Sequence, residues 1–379
     1  MSARPSVLVL SFSRIASDAR VLKQVRFLAD DYDVTTCGYG PAPEGVVAHV
    51  EVPEDRQAWV KDRRWLLLRQ YRRVYGTNPA VTWARRPLAG LDFDVVVAND
   101  IEAVPLALEL RPRGGVHADL HEYSAGQNTE LRRWRWFVAP YLRWLVRTFV
   151  SRAASVTTVG PVLARRYEED LGRGVGVVVN ATPFADLEPR PTPPTIRLVH
   201  SGIAQRNRAL ELTIEAVEAS RADVRLDLYL VPNDPAYTLE LERVAAATSR
   251  VRVLPPVPYD RLVETLHEYD VGVFLLPPVN PNYAAALPNK LFDFIQARLG
   301  VVVGPSVEMA SVVRSHGLGA VTRDFTAAGL TEVLDGLTPE QVDGWRRASH
   351  AVARELSAEV QSQTWLAAVA RLVERAARR

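Results

Sequence analysis

Short runs rich in Val, Leu and Ile recur along the sequence, spaced widely enough for a helix to fit between them. Continuous apolar runs of this length suit strands buried on both faces, and intervening helices let such strands pair in parallel. This rhythm predicts an α/β chain. In the first half it places strands at 6–11, 32–38, 45–51, 93–99, 115–121, 155–160 and 175–180, with helices such as 18–30 and 103–110 between them. Residues 52–90 are rich in Arg and Trp and read as helix or partial disorder. The run "ATPFADLEPRPTPPTIR" (181–197) then carries five prolines, which exclude regular structure and mark a linker. Beyond it the rhythm restarts, with strands at 196–202, 224–231, 250–256, 270–277, 300–304 and 318–323.

A chain of 379 residues exceeds one ordinary core. The expected division is a first Rossmann-like domain at 1–182, a Pro-rich linker at 183–195, a second Rossmann-like domain at 196–355, and a terminal amphipathic helix at 356–379. Its apolar Val360, Trp365, Val369 and Leu372 fall at roughly helical spacing. Two doubly wound sheets joined in this way are expected to face a central cleft with the C-terminal edges of their strands, where ligands of such sheets bind.

A formal net charge of +2 argues against a bulk nucleic-acid binder, although the first half is mildly basic. The single cysteine, Cys37, rules out a disulfide framework or a cysteine-rich metal site, and within "VTTCG" it reads as a small buried residue. The opening residues do not read as a signal peptide and no stretch of about 18 apolar residues occurs, so the expected compartment is the cytoplasm. No metal-ligand spacing, Walker sequence, G-x-G-x-x-G or G-x-S-x-G elbow is present. The triplets Asp31-Tyr32-Asp33 and Asp92-Phe93-Asp94 precede predicted strands and read as turn residues.

The polar residues expected at strand exits are the candidates for chemistry. In the first half these are the loop "SFSRIASDAR" (11–20), with Ser13, Arg14 and Asp18; "AND" (98–100), with Asn99 and Asp100; and "DLHEYS" (119–124), with His121 and Glu122. Asp100 could equally cap the following helix. His121, next to a strand end and near Asp100, can donate to a hydroxyl or carry a proton. In the second half, "HSGIAQRNRALELTIEAV" (200–217) reads as strand, glycine, basic loop and helix. Gly202 would admit a ligand to the backbone, and Arg206, Asn207 and Arg208 would meet an anion at a helix N-terminus, or else form a solvated arginine pair.

The chain has only three lysines, Lys23, Lys61 and Lys290, among its 46 basic residues. Lys290 opens a helix in "LPNKLFDFIQARLG", where a cation is unfavourable unless an anion accompanies it. On that helix Asn289, Asp293 and Gln296 should form a polar stripe and Phe292, Ile295 and Leu299 an apolar one. Finally, "LRRWRWFVAPYLRWLVRTFVSRAAS" (131–155) interleaves six arginines with three tryptophans. It reads either as an interfacial face for anionic lipid or a lipid-linked acceptor, over 131–152, or as a helix whose aromatic side packs on its own domain.

Taken together, "SDARVLKQVRFLA", "VVVANDIEAVPLAL", "DLHEYS", "ASVTTVGPVLARRY", "NRALELTIEA", "YDVGVFLLP" and "PNKLFDFIQARLGVVVGPSVEM" resemble the GT-B fold, nucleotide-sugar-dependent glycosyltransferases. They are similar in particular to the family 4, retaining "group 1" type, and the resemblance extends over nearly the whole chain. It implies a hexosyltransferase moving a sugar from a nucleotide-diphosphate sugar to a hydroxyl acceptor without a metal or other cofactor, with a UDP-sugar as the first guess. The acceptor would be a glycan, a lipid-linked or a small molecule. The enzyme would be cytoplasmic or peripheral on the inner face of the membrane.

The resemblance further implies that Arg208 and Lys290 hold the donor diphosphate, that Asp293 binds the ribose, that Gly202 admits the phosphates, and that His121 contacts the donor sugar. The terminal helix would pack back on the first domain. The family's acidic pair is incomplete here, because Ala285 stands eight positions before Asp293. Asn282, Tyr283 and Asn289 are the candidates to replace that first acid. Two other readings remain open: a nucleotide-sugar 2-epimerase, and a GT-B protein with a degraded site.

Overall fold

The computed structural model describes residues 4–128 and 130–378. The chain divides into two compact units. Unit 1 is built from the chain up to Val179, from Asn280–Asn282, and from Ser362 onward; unit 2 comprises Asn180–Val279 and Tyr283–Gln361.

Unit 1 contains β1 (Ser6–Arg14), β2 (Asp33–Tyr39), β3 (Ala48–Val52), β4 (Val95–Asn99), β5 (Gly115–Leu120), β6 (Ser155–Thr158) and β7 (Gly176–Val177). They form one parallel sheet in the order β3-β2-β1-β4-β5-β6-β7. Unit 2 contains β8 (Ile196–Ile203), β9 (Val224–Val231), β10 (Val251–Leu254), β11 (Val271–Phe274), β12 (Gly300–Val303) and β13 (Gly319–Val321). These are also parallel, in the order β10-β9-β8-β11-β12-β13. Each sheet reverses its winding once, between β1 and β4 and between β8 and β11. A crevice opens beyond the strand ends at such a reversal, because the connecting helices diverge to opposite faces.

Every strand expected from the apolar runs is present. The arginine- and tryptophan-rich stretch folds into the helices Arg63–Leu67, Tyr71–Gly76 and Pro79–Leu88, the first and third capped by Asp62 and Asn78. Helices this short carry little periodicity in sequence. The expected terminal helix is two pieces, Ala358–Gln361 and Gln363–Ala377. The longer piece packs on unit 1: Val369 and Leu372 join Val7, Val9, Val95 and Val97 in one cluster, and Trp365 lies under the Arg20 guanidinium at 4.6 Å.

In unit 2 the helix Asn289–Gln296 is buried all round, which differs from the two-stripe expectation. Phe294 lies against β11, where a Cβ on Gly272 would come within 2.4 Å of its ring. The polar stripe is used internally. Thr182 Oγ1 donates to Asp293 Oδ1 at 2.6 Å, Ala185 N donates to Gln296 Oε1 at 3.0 Å, and Gln296 Nε2 donates to Ala353 O at 2.6 Å. The proline-rich stretch has no regular structure, yet it is tied to unit 2 through this helix. No helix among the described residues is long and apolar enough to cross a membrane.

Candidate functional site

In unit 2, β8 ends at Gly202 and Ile203, beside the start of the helix Asn289–Gln296. Gly202 has φ +144°, and a Cβ there would lie 2.8 Å from Lys290 Nζ and 3.5 Å from Arg208 Nη1. Glycine is thus required twice, for its backbone angle and for the two cations that crowd over it. Lys290 is almost completely buried. Its Nζ lies 3.9 Å from the centre of the Phe274 ring and 3.3 Å from His200 Nε2.

His200 Nδ1 donates to Val273 O at 3.0 Å, which leaves Nε2 with the lone pair that accepts from Lys290. Burial, with Lys290 adding to it, holds the His200 pKa well below the ordinary range. Burial and then Arg208 push the Lys290 pKa well below that of an ordinary lysine, while Asp293 opposes them. The Arg208 Nε is buried and has no hydrogen-bond partner. Two cations, one with an unused buried donor, therefore converge beside a bare stretch of backbone at the sheet's reversal point. Such a pocket suits a phosphate-type anion.

The neighbouring candidates separate. Arg206 and Arg208 occupy a 3₁₀ turn that precedes the helix Glu211–Ala219 instead of opening it, and Ala209, which follows the turn, has φ 49°. Arg206 turns onto unit 2's own helix Pro235–Ala245, with Glu240 at 2.8 Å, Asp234 at 3.7 Å and the Tyr237 ring at 5.0 Å. Asn207 Oδ1 is buried without a partner. Asn289 begins the lysine helix, whereas Asn282 groups with unit 1 and Tyr283 opens the next part of unit 2. Ala285 is buried.

In unit 1 the ends of β1, β4 and β5 carry a continuous hydrogen-bonded chain. Arg20 grips the fully buried Asp119 with Nε at 2.8 Å and Nη2 at 2.7 Å, and Thr157 Oγ1 adds a bond of 2.7 Å. Gln24 Nε2 donates to Asp119 at 2.6 Å, Asn99 Nδ2 donates to Gln24 Oε1 at 2.9 Å, and His121 Nε2 lies 3.0 Å from Asn99 Oδ1. The polarity of this chain makes His121 Nε2 a donor and leaves Nδ1 facing Asp100 Oδ2 at 3.5 Å.

Burial works against the charged His121 ring, but Asp100 and Asp119 outweigh it and raise the pKa above the ordinary value. Arg20 overcomes the effect of burial on Asp119 and holds its carboxyl well below the usual range. Asp100 does not cap the following helix. It adopts φ 63° and accepts from His121 N at 3.0 Å. Glu122 accepts from Gln127 at 2.8 Å and from Asn282 at 3.1 Å, and burial raises its pKa.

Ser13 bonds Ser11 at 2.9 Å, and both line a cavity of about 210 Å³ with Trp59, Lys61, Asn99 and Asp100. Arg14 instead pairs with Glu54 at 3.0 Å, and Asp18 is spent capping the helix Ala19–Ala29. Sequence reasoning missed Arg20, Gln24, Asp119, His200, Trp59 and Lys61. Arg20 and Gln24 lie one turn apart on one helix and Asp119 ends a strand, so only their pairing across the sheet reveals them.

The remaining expectations fall as follows. Cys37 is buried, and burial pushes its thiol up to about 12. Asp94 accepts from Ser6 N at 2.9 Å, at the end of the sheet remote from these sites. The basic segment buries Tyr141, Leu142, Leu145 and Val146 in unit 1 and leaves Leu131 and Trp136 exposed among Arg132, Arg133 and Arg135. Among the described residues no cluster of His, Cys, Asp and Glu could hold a metal ion.

No family model matches the chain, and no curated protein matches it in sequence. Solved structures do match in fold. Sucrose-phosphate synthase from Thermosynechococcus elongatus superposes with a TM-score of 0.72 at 10% identity, covering 97% of this chain and 99% of that one. The Anabaena protein HepE, in complex with UDP and glucose, gives 0.67 at 12% identity over 97% and 99%. An α,α-trehalose 6-phosphate synthase from Burkholderia multivorans gives 0.66 at 13% identity over 99% of both chains. With its two parallel sheets of 7 and 6 strands, the chain has the GT-B fold.

Proposed function

We propose that this protein is a glycosyltransferase that takes a sugar from a nucleotide-diphosphate donor, with a UDP-sugar the first candidate. The observation that carries the reading is the convergence of Lys290, Arg208 and the Cβ-free Gly202 at the reversal point of the unit 2 sheet. The similarity in fold to HepE, whose structure contains UDP and glucose, supports it.

Lys290 and Arg208 bind the diphosphate and neutralise the charge that develops on it as the anomeric carbon departs. No metal is needed for that role. Asp293, held by Thr182, takes the ribose; Asn207 and Asn289 flank the donor. His121, oriented by Asn99 and Asp100, is assigned to the transferred sugar, and the cavity at Ser13, Asn99 and Asp100 to the acceptor hydroxyl. Asp119 is engaged by Arg20, Gln24 and Thr157, and Asp100 by His121. Among the described residues the carboxylates nearest His121 are already engaged, Glu122 by Gln127 and Asn282 as well, which favours attack from the leaving-group face with retention. Leu131 and Trp136 among arginines suit a peripheral contact with anionic lipid or a lipid-linked acceptor on the cytoplasmic face.

The test is a hydrolysis and transfer screen over UDP-, GDP-, ADP- and dTDP-sugars, with the product anomer read by NMR. Release of nucleotide diphosphate with a retained anomer supports the proposal. An inverted anomer overturns retention, and stabilisation by none of the nucleotides overturns the donor site. Conversion of donor without acceptor would identify an epimerase.

A further inference from the structure

Unit 2 carries a second basic cluster at the opposite end of its sheet. Arg197 stands directly opposite Arg225 in the β8–β9 register, and Arg250 immediately precedes Val251, whose partner on β9 is Leu226. Three guanidinium side chains therefore leave neighbouring strands in one lateral row, at a strand spacing of about 4.8 Å. Two residues further along, Asp227 is paired with Arg252. Residues opposite one another and two apart share a sheet face. Together these side chains line a cavity of about 360 Å³ with Glu268 at its rim.

The outer members of the row are held and the central one is not. Arg197 binds Asp270 through two bonds of 3.0 and 2.9 Å. Arg250 gives Nη1, Nη2 and Nε to the carbonyl oxygens of Ser220, Ala222 and Val224, at 2.8, 2.6 and 3.3 Å, which holds it in place without cancelling its charge. Arg252 forks onto Asp227, which also accepts from Tyr269 Oη at 2.6 Å. Glu268 is engaged by Arg190 at 2.6 Å. Arg225, exposed between Arg197 and Arg250, has no hydrogen-bond or ion-pair partner among the described residues.

Like charges directly opposite each other on neighbouring strands destabilise a sheet. Here the neighbours of Arg225 are fixed by their own partners, so only Arg225 can move to ease the repulsion. An incoming anion would meet Arg225 with its donors unspent, between two cations already held in place, which removes part of the ordering cost of binding. Gly202 lies five residues beyond Arg197 on β8, about 16 Å along the strand, so this cluster is separate from the pocket of Lys290.

We propose that Arg197, Arg225, Arg250 and Arg252 form a binding site for a phosphate-type oxyanion on the edge of unit 2 opposite the nucleotide pocket. Tetrahedral oxyanions accept the paired N–H groups of guanidinium forks, and only Arg225 has its full set to give. The phosphate is either that of a soluble ligand or that of a lipid headgroup.

The test uses inorganic pyrophosphate at constant ionic strength, balanced with chloride, on the full chain. Lys290→Ala silences the other pocket. Pyrophosphate should raise the melting temperature of Lys290→Ala and act on Lys290→Ala/Arg225→Ser with about tenfold weaker apparent affinity. The double variant should start no lower in melting temperature, because a repulsion has been removed. Equal responses in the two variants, or a lower starting point in the double variant, overturn the site. With the unaltered protein, equilibrium dialysis at free pyrophosphate near half-saturation should find more pyrophosphate bound per chain than with Arg225→Ser, and equal occupancies overturn the proposal independently. Sedimentation with phosphatidylglycerol but not phosphatidylcholine vesicles, lost in Arg225→Ser, assigns the phosphate to lipid. Retained pyrophosphate binding without sedimentation assigns it to a soluble ligand.

Discussion

Lys290 is an ammonium in a chain that otherwise uses arginine, and its surroundings explain the choice. Phe274, His200 and the Gly202 backbone leave room for one compact head group, which a planar guanidinium would overfill. Lys290→Arg should therefore fail to restore activity, and Lys290→Ala should reduce turnover by about 10²–10³-fold with the fold intact. Because burial and Arg208 depress the Lys290 pKa, the native state binds fewer protons there than the unfolded chain. Stability then rises with pH across the window between the depressed and the ordinary lysine value. Lys290→Met should flatten that rise in a denaturant series. A bound diphosphate should restore the proton, so calorimetry in buffers of different ionisation enthalpy should register proton uptake on donor binding.

His121 has the opposite sign. Its raised pKa gives stability that is present below the ordinary histidine value and lost as pH climbs through the folded one. His121→Gln should remove that dependence, as read from chemical denaturation between pH 5 and pH 9, a range set around about pH 6.5.

Among elements, the helix Asn289–Gln296 shows how much was legible in the sequence. Its position, its lysine and its carboxylate could be read from "LPNKLFDFIQ", because a cation at a helix start needs an explanation. Its surroundings could not. Asn289, Asp293 and Gln296 have the spacing of a ligand-facing stripe, yet Gln296 is consumed by Ala185 and Ala353, and one oxygen of Asp293 accepts from Thr182. Helical spacing specifies which residues share a face and says nothing of what covers that face.

Likewise the strand exits were readable one at a time, whereas the chain from Asp119 through Gln24 and Asn99 to His121 exists only once β1, β4 and β5 are neighbours. Gln296→Leu should cost about 2–4 kcal/mol in denaturant unfolding, since it strands a buried N–H and a buried carbonyl. Gly202→Ala should both lower stability by about 1–3 kcal/mol, because φ +144° strains a residue that carries a Cβ, and weaken nucleotide binding about tenfold or more, because that Cβ would crowd Lys290.

At the scale of the whole molecule, the order of the chain and the order of the units differ. Unit 2 is one stretch interrupted only by Asn280–Asn282, while the unit 1 sheet is sealed by the helix Gln363–Ala377, more than 180 residues after its last strand. A chain ending at residue 361 should lose protection from hydrogen exchange throughout unit 1, because the apolar face of Val7, Val9, Val95 and Val97 is uncovered. Unit 2 should keep its protection, including that of β8 and the helix Asn289–Gln296. Uniform loss across both units would contradict that division.

The terminal helix also sets a timetable. A ribosome delivers unit 1's strands first, yet they cannot complete their hydrophobic contacts until residue 377 has been made. For most of synthesis, then, the earlier-made half waits with its valines uncovered, and the later-made half, complete at Gln361, can close shortly before it. The first unit encoded is the last to be finished, and that interval is where a chaperone would find this chain.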